Sequence, residues 1–68
     1  MELPEILGRN VREARHRAGM SQEQLAFEAD MKRSYVSDLE RGTRNPSVKA
    51  IARLAAALNV SPSELLRE

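Results

Sequence analysis

Residues 21–42 constrain the fold of this chain more than any other segment, because they indicate two short helices joined by a tight turn. Apolar or small residues recur there at helical spacing, at positions Leu25, Ala26, Ala29, Met31, Val36 and Leu39. Ala26 supplies the small side chain that two steeply crossing helices need where their backbones approach. We expect Asp30 to adopt a left-handed conformation in the turn, because aspartate tolerates it better than most residues do.

Five helices are predicted in all, beginning at about Pro4 or Glu5, Ser21, Arg33, Ser47 and Ser61. Left-handed residues are expected to end the first helix at Gly19 and the fourth at Asn59, and Gly42 ends the third. Ser21 with Gln24, and Ser61 with Glu64, have the spacing of capping boxes. No strand is predicted, so we expect a compact all-α fold in a single domain, residues 1–68.

The composition excludes several kinds of site. The chain has 68 residues, no cysteine and one histidine, His16, which leaves no disulfide, cysteine-based zinc site or histidine-rich metal site. No apolar segment approaches the length that spans a bilayer, and the first ten residues do not resemble a signal peptide. We therefore expect a cytoplasmic protein that binds no membrane, metal or cofactor.

The distribution of charge is more informative than the net charge of +1. Residues 32–53 hold six basic and two acidic residues, whereas the rest of the chain holds five basic and eight acidic residues. The basic excess therefore lies on and after the second helix of the central pair. Such an asymmetry suits a polyanionic ligand, although charge on a small domain also serves simply to keep it solvated.

A helix pair of this kind forms the helix-turn-helix motif, whose second helix enters the major groove of DNA. Over residues 7–66 the chain resembles the phage-repressor/Cro-like, or Xre, family, on the basis of Ser21-Gln22, Leu25-Ala26, Met31, Val36, Leu39-Glu40-Arg41-Gly42 and Asn45-Pro46. The resemblance implies a lambda-repressor-like fold and a sequence-specific DNA-binding transcriptional regulator. Small controller proteins of restriction–modification systems and small phage-type repressors are both similar in size and organisation.

The resemblance also implies a homodimer that binds double-stranded DNA at a palindromic operator, with Arg33–Glu40 as the recognition helix. Side chains on that helix are expected to contact bases, namely Lys32, Arg33, Ser34, Ser37 and Asp38. Arginine is suited to bidentate bonding with guanine, and Asp38 has the geometry to accept from cytosine N4. Two alternatives remain open, since Asp38 can instead pair with Arg41 and Lys32 can instead bind a phosphate.

A second set of residues is expected to contact phosphates, which positions the protein without reading sequence. This set comprises Gln22, Tyr35, Arg41, Thr43, Arg44 and Asn45. Gln22 lies at the start of a helix, where free backbone amides favour an anion. For Tyr35 the favoured interpretation is packing against Phe27, the only other aromatic residue, and contact with DNA is the alternative.

Two further groups of residues are assigned, the first from the family pattern and the second from the apolar residues near the C-terminus. Arg15 and Glu40 match positions that form a largely buried ion pair in related proteins, so their role is predicted to be structural. Leu58, Val60, Leu65 and Leu66 are expected to close the core and also to form a dimer interface, which suits a palindromic operator. The family usually has glycine where Asp30 stands, so the turn is expected to carry slight strain.

Two other classes of function compete with DNA binding. A protein-interaction module, such as an antitoxin-like partner binder, can use the same fold, because fold does not fix function. An enzyme is not expected, since the chain has no cysteine and no glycine-rich phosphate loop. A helical domain of this size also leaves little room for the pocket that a small-molecule substrate requires.

Overall fold

The computed structural model describes residues 1–68 and contains five α-helices and no strand. The helices are α1 (Leu3–Arg17), α2 (Gln22–Glu28), α3 (Arg33–Glu40), α4 (Val48–Leu58) and α5 (Pro62–Leu65). The predicted all-α, five-helix fold is therefore confirmed. The first helix begins slightly earlier than expected, because the Glu2 amide donates to Glu5 Oε1 at 2.9 Å and so extends the first turn.

The helix ends follow the predicted pattern in most places. Gly19, Asp30 and Asn59 have positive φ, as predicted, and Gly42 has positive φ as well. Ser21 Oγ accepts from the Gln24 amide at 3.0 Å.

Neither predicted capping box forms completely. Gln24 Nε2 donates to Glu28 Oε2 at 3.3 Å, and no hydrogen bond joins the Gln24 oxygen to the Ser21 amide, as a capping box would require. Ser61 makes no side-chain cap, since its hydroxyl lies 3.0 Å from that of Ser63. Leu66 follows α5 and does not belong to it.

One apolar core holds the five helices together, and every helix contributes to it. Its buried members are Leu7, Val11, Ala14, Leu25, Ala26, Ala29, Val36, Leu39, Leu54, Ala55, Leu58 and Leu65. Ala26 is buried in the corner between α2 and α3, as its small size predicted. The Met31 amide donates to the Ala26 carbonyl at 2.8 Å, which closes the turn that sets the angle between the two helices.

The packing of α1 against α3 depends on Gly8, a residue that the sequence analysis did not single out. A Cβ atom at this position would lie 2.3 Å from the carbonyl oxygen of Leu39 and 3.0 Å from that of Glu40. Glycine in the middle of a helix costs stability, so its presence signals a close backbone approach. Here the absence of a side chain allows α1 to contact the backbone at the end of α3.

An ion pair joins the same two helices beside this contact. Arg15 Nε lies 2.7 Å from Glu40 Oε2, and Arg15 Nη2 donates to Glu40 Oε1 at 3.0 Å. Their side chains are only 10% and 5% exposed, and the hydrogen bond to Glu40 raises the pKa of Arg15. Arg15 Nη1 also donates to the Met20 carbonyl at 2.9 Å. The pair is thus bidentate and ties the end of α1 to the end of α3.

The predicted packing of Phe27 against Tyr35 is wrong. Phe27 is 85% exposed, whereas Tyr35 is half-buried against the core. Two residues span roughly 200° of a helix turn, so Phe27 points away from the side of α2 that buries Leu25. Arg44 covers the Tyr35 ring instead, with its guanidinium carbon 4.8 Å from the ring centroid.

The helices are too short and too polar for any of them to cross a membrane. No three histidine, cysteine, aspartate or glutamate side chains come together in an arrangement that could hold a metal ion.

Replacing Gly8 with alanine is expected to destabilise the fold. Alanine normally gains about 1 kcal/mol over glycine inside a helix, but the added methyl group would overlap the Leu39 carbonyl, and overpacking costs roughly 1–3 kcal/mol. Urea denaturation of the variant should show a net loss of stability. Glu13→Ala, an exposed change on the same helix, should alter it by less than about 0.5 kcal/mol, and a stabilised Gly8→Ala variant would refute the close contact.

Removing one partner of the ion pair should be costly, because it leaves the other charge buried and unpaired. Arg15→Met and Glu40→Leu are each expected to reduce the free energy of unfolding by roughly 3–5 kcal/mol. The double variant should recover most of this loss, since an apolar pair of similar volume avoids the desolvation of both charges. Double-mutant analysis of urea denaturation measures the effect, and additive losses would show that the two residues act independently.

Candidate nucleic-acid interface

The start of α3 presents two basic residues that no acidic partner neutralises. Lys32 precedes the helix in an extended conformation, and Arg33 and Ser34 occupy its first turn, all three exposed. None of the ion pairs in the structure involves Lys32 or Arg33. Val36 and Leu39 bury the opposite side of the helix in the core. The polar side of α3 therefore faces outward with its first turn free to contact a ligand.

The second turn of α3 is already engaged within the protein. Asp38 Oδ1 accepts from Arg41, and Asp38 Oδ2 lies 3.6 Å from Arg44 Nη2. Arg41 Nη1 also donates to Ser37 Oγ at 3.1 Å. Of the two interpretations of Asp38, the structure of the free protein therefore contains the pairing with Arg41, and it adds Arg44 as a second partner.

The loop after α3 folds back on the end of that helix. Gly42 has a φ of 80°, which turns the chain and lets the Thr43 amide and hydroxyl both donate to the Asp38 carbonyl, at 3.1 and 2.9 Å. Arg44 then lies over the Tyr35 ring, an arrangement that favours the cation electrostatically. Asn45 follows and is exposed. The loop thus brings Thr43 and Arg44 beside α3, whereas Asn45 lines a groove with Leu3 and Leu66.

Gln22 is connected to the buried ion pair. Its Nε2 donates to Glu40 Oε1 at 3.1 Å, so one carboxylate holds both Gln22 and Arg15. The side chain is half-buried and lies at the first residue of α2. This contact fixes the orientation of the carboxamide close to the free amides at the start of the helix.

The predicted dimer residues divide into two groups. Leu58 and Leu65 are 5% and 1% exposed and pack inside the protomer. Val60 is half-buried and Leu66 is exposed, so only these two offer side-chain surface to a second copy. The structure adds exposed apolar neighbours that were not predicted for the dimer interface, because Leu3 and Val48 line one groove with Leu66.

Asn10 is a further residue that the sequence analysis missed. Its Nδ2 donates to the carbonyls of Leu65 and Arg67, at 2.9 and 2.7 Å. These contacts join residues that are more than fifty positions apart in the chain, and they hold the end of α5 against α1. A lone asparagine in a helix gives no indication of such a role before the tertiary arrangement is known.

Comparisons with known proteins agree with this geometry. Residues 11–65 match the helix-turn-helix family model. Control protein C.BamHI of Bacillus amyloliquefaciens is 50% identical over 62 residues, which cover 90% of this chain and 76% of that protein. Control protein C.SmaI of Serratia marcescens is 42% identical over 66 residues, which cover 97% of this chain and 79% of that protein.

A solved structure shows the same fold. The restriction–modification controller protein C.AhdI from Aeromonas hydrophila is similar with a TM-score of 0.88 and 47% sequence identity. The match covers 91% of this chain and 94% of that protein. Because the family consists of regulators without catalytic activity, the prediction that this chain is not an enzyme is confirmed. The chain belongs to the helix-turn-helix family of DNA-binding transcriptional regulators.

Proposed function

We propose that the protein is a sequence-specific regulator whose α3 enters the DNA major groove and whose flanking loop contacts the phosphate backbone. The observation that carries this proposal is the exposed side of α3, where Arg33, Ser37 and Arg41 recur at four-residue spacing and so share one face. Arg33 has no acidic partner and is available to a base. Arg41 and Arg44 stand at the other end, where phosphates would approach.

We further propose that two copies act together on a palindromic operator in the cytoplasm, without a cofactor or small-molecule substrate. One recognition helix of eight residues contacts only a few base pairs, whereas a two-fold dimer reads two half-sites about one helical turn apart, roughly 34–36 Å. The exposed side chain of Leu66 and the half-buried side chain of Val60, with Leu3 and Val48 beside Leu66, offer apolar surface for the second copy. Burial of this surface would also supplement a small core.

The biological role that best fits is control of restriction–modification genes. C.BamHI, C.SmaI and C.AhdI are control or controller proteins by name, and each matches more than two thirds of its own length to this chain. In such a role, regulation would follow from the concentration of the protein and from competition between binding sites.

A protein-interaction module is the second candidate function, and the exposure of Phe27 is the observation that favours it. Such a module should tolerate the loss of Arg33 and Arg44 and fail when its apolar surface is altered. A DNA reader should show the opposite sensitivity.

Selection of bound duplexes from a randomised DNA pool, at near-physiological salt, tests the proposal directly. Enrichment of an inverted repeat with half-sites one turn apart would support a dimeric sequence reader and identify its operator. Weak, strongly salt-dependent binding without enrichment would contradict sequence-specific recognition and support the protein-interaction module. Enrichment of a single half-site would contradict the dimer alone.

Arg33→Ala is expected to relax specificity at one base pair of each half-site. Loss of a bidentate contact to guanine should cost about 1–3 kcal/mol on the selected operator and little on a scrambled duplex. Arg12→Ala removes the same charge from an exposed position on α1 and serves as the control. Competition binding with operators substituted at each position measures the effect. An unchanged base preference would exclude Arg33 as a base-contacting residue.

Arg44→Ala is expected to weaken binding to all sequences about equally. Each phosphate contact that is lost should reduce the slope of log K against log [salt] by about one. Binding titrations at several salt concentrations, on operator and scrambled duplexes, provide the slope. If the variant and the unmodified protein give the same slope on both duplexes, the loop does not contact phosphate.

A further inference from the structure

Asp38 lies in the second turn of α3, next to the loop of the proposed DNA-binding face, and its carboxylate is shared by two arginines. Arg41 donates to one oxygen, and Arg44 Nη2 lies 3.6 Å from the other. The three side chains remain accessible, with 32% of Asp38, 62% of Arg41 and 47% of Arg44 exposed. One carboxylate therefore offsets half of the positive charge that these two arginines would present to a phosphate.

The carboxylate is not needed to build the loop or the helix. Thr43 donates from its amide and its hydroxyl to the backbone carbonyl of Asp38, not to the side chain. Stacking on the Tyr35 ring holds Arg44 independently, at 4.8 Å from the ring centroid. Surface ion pairs of this kind add little to stability. The position of Asp38 therefore calls for an explanation other than folding.

An acidic group on this face has opposite effects on different DNA sequences. Arginine carries five donors, so Arg41 and Arg44 can bind phosphates while Asp38 stays beside them, but the carboxylate then repels those phosphates. Every duplex encounters this repulsion. Only a duplex that presents an amino group to α3 in the major groove, cytosine N4 or adenine N6, offers the carboxylate a donor in return.

We propose that Asp38 determines specificity by selective penalty: it weakens binding to DNA in general, and only an operator with an amino group at the facing position compensates. This inference rests on the proposed DNA-binding function. It assigns to Asp38 a role in rejecting non-operator DNA, in addition to any hydrogen bond that it makes in the operator complex. Rejection of this kind is a recognised route to specificity, because discrimination is a difference between two affinities.

The variant Asp38→Asn tests the proposal, since it keeps the size and polarity of the side chain and removes its charge. Affinity for a scrambled duplex should rise about tenfold for a dimer, and the slope of log K against log [salt] should steepen by about one per protomer. Affinity for the selected operator should rise less, so that the ratio of operator to scrambled binding falls. Circular dichroism and thermal melting of the variant establish that it is folded.

Glu13→Gln is the matched control, because it removes one negative charge from an exposed position on α1, outside α3 and its loop. It should leave the ratio of operator to scrambled binding unchanged. Selection from a randomised pool adds a second measurement, the base preference at each position, which a change of charge alone would not alter. The unmodified protein should enrich cytosine or adenine at one position of each half-site. Asp38→Asn keeps an acceptor oxygen, so the variant for this measurement is Asp38→Ala, which has no acceptor and should lose that preference.

Three results would overturn the inference. An equal change in affinity for operator and scrambled duplexes would show that Asp38 affects binding only through its charge and does not contribute to specificity. Weaker binding to both would show that the carboxylate positions the arginines for phosphate contact. An unchanged base preference in Asp38→Ala would show that Asp38 makes no compensating contact with a base. By contrast, failure of the unmodified protein to enrich any sequence would contradict the proposed function itself, and the two failures are therefore distinguishable.

Discussion

The buried ion pair between Arg15 and Glu40 fixes the position of the helix on which the proposed function depends. Its two charges join the ends of α1 and α3, and Arg15 also binds the Met20 carbonyl in the segment before α2. Glu40 in addition accepts from Gln22. A buried ion pair adds little net stability compared with an apolar pair. Its value here is geometric, because few other placements of α3 would satisfy both charges.

Gly8 makes this arrangement possible. The carbonyl oxygens of Leu39 and Glu40 approach α1 so closely at Gly8 that a methyl group would overlap the nearer of them. The close approach and the ion pair act at the same end of α3, while the turn at Ala26 holds α3 against α2. A recognition element held at several points loses little conformational entropy when it binds, and such preorganisation favours affinity.

The parts of the structure that local chemistry determines could be predicted from the sequence. The five helices follow from apolar spacing, and their ends from residues such as Gly19 and Asn59 that adopt positive φ. Gly8 and Asn10 escaped prediction because their partners lie far along the chain. The pairing of Phe27 with Tyr35 was wrong because contact between side chains on adjacent helices depends on the crossing angle, which the sequence pattern alone does not fix.

The same dependence on tertiary placement explains why charge counts describe the candidate interface poorly. Residues 32–53 hold a basic excess, yet at one end of α3 the acid Asp38 lies between two arginines, while Glu40 is buried and paired with Arg15. Two carboxylates only two residues apart thus serve different purposes, since one faces the core and the other faces solvent. The charge available to DNA depends on which acids remain at the surface, and Asp38 is the acid that lies among the arginines proposed to meet phosphate.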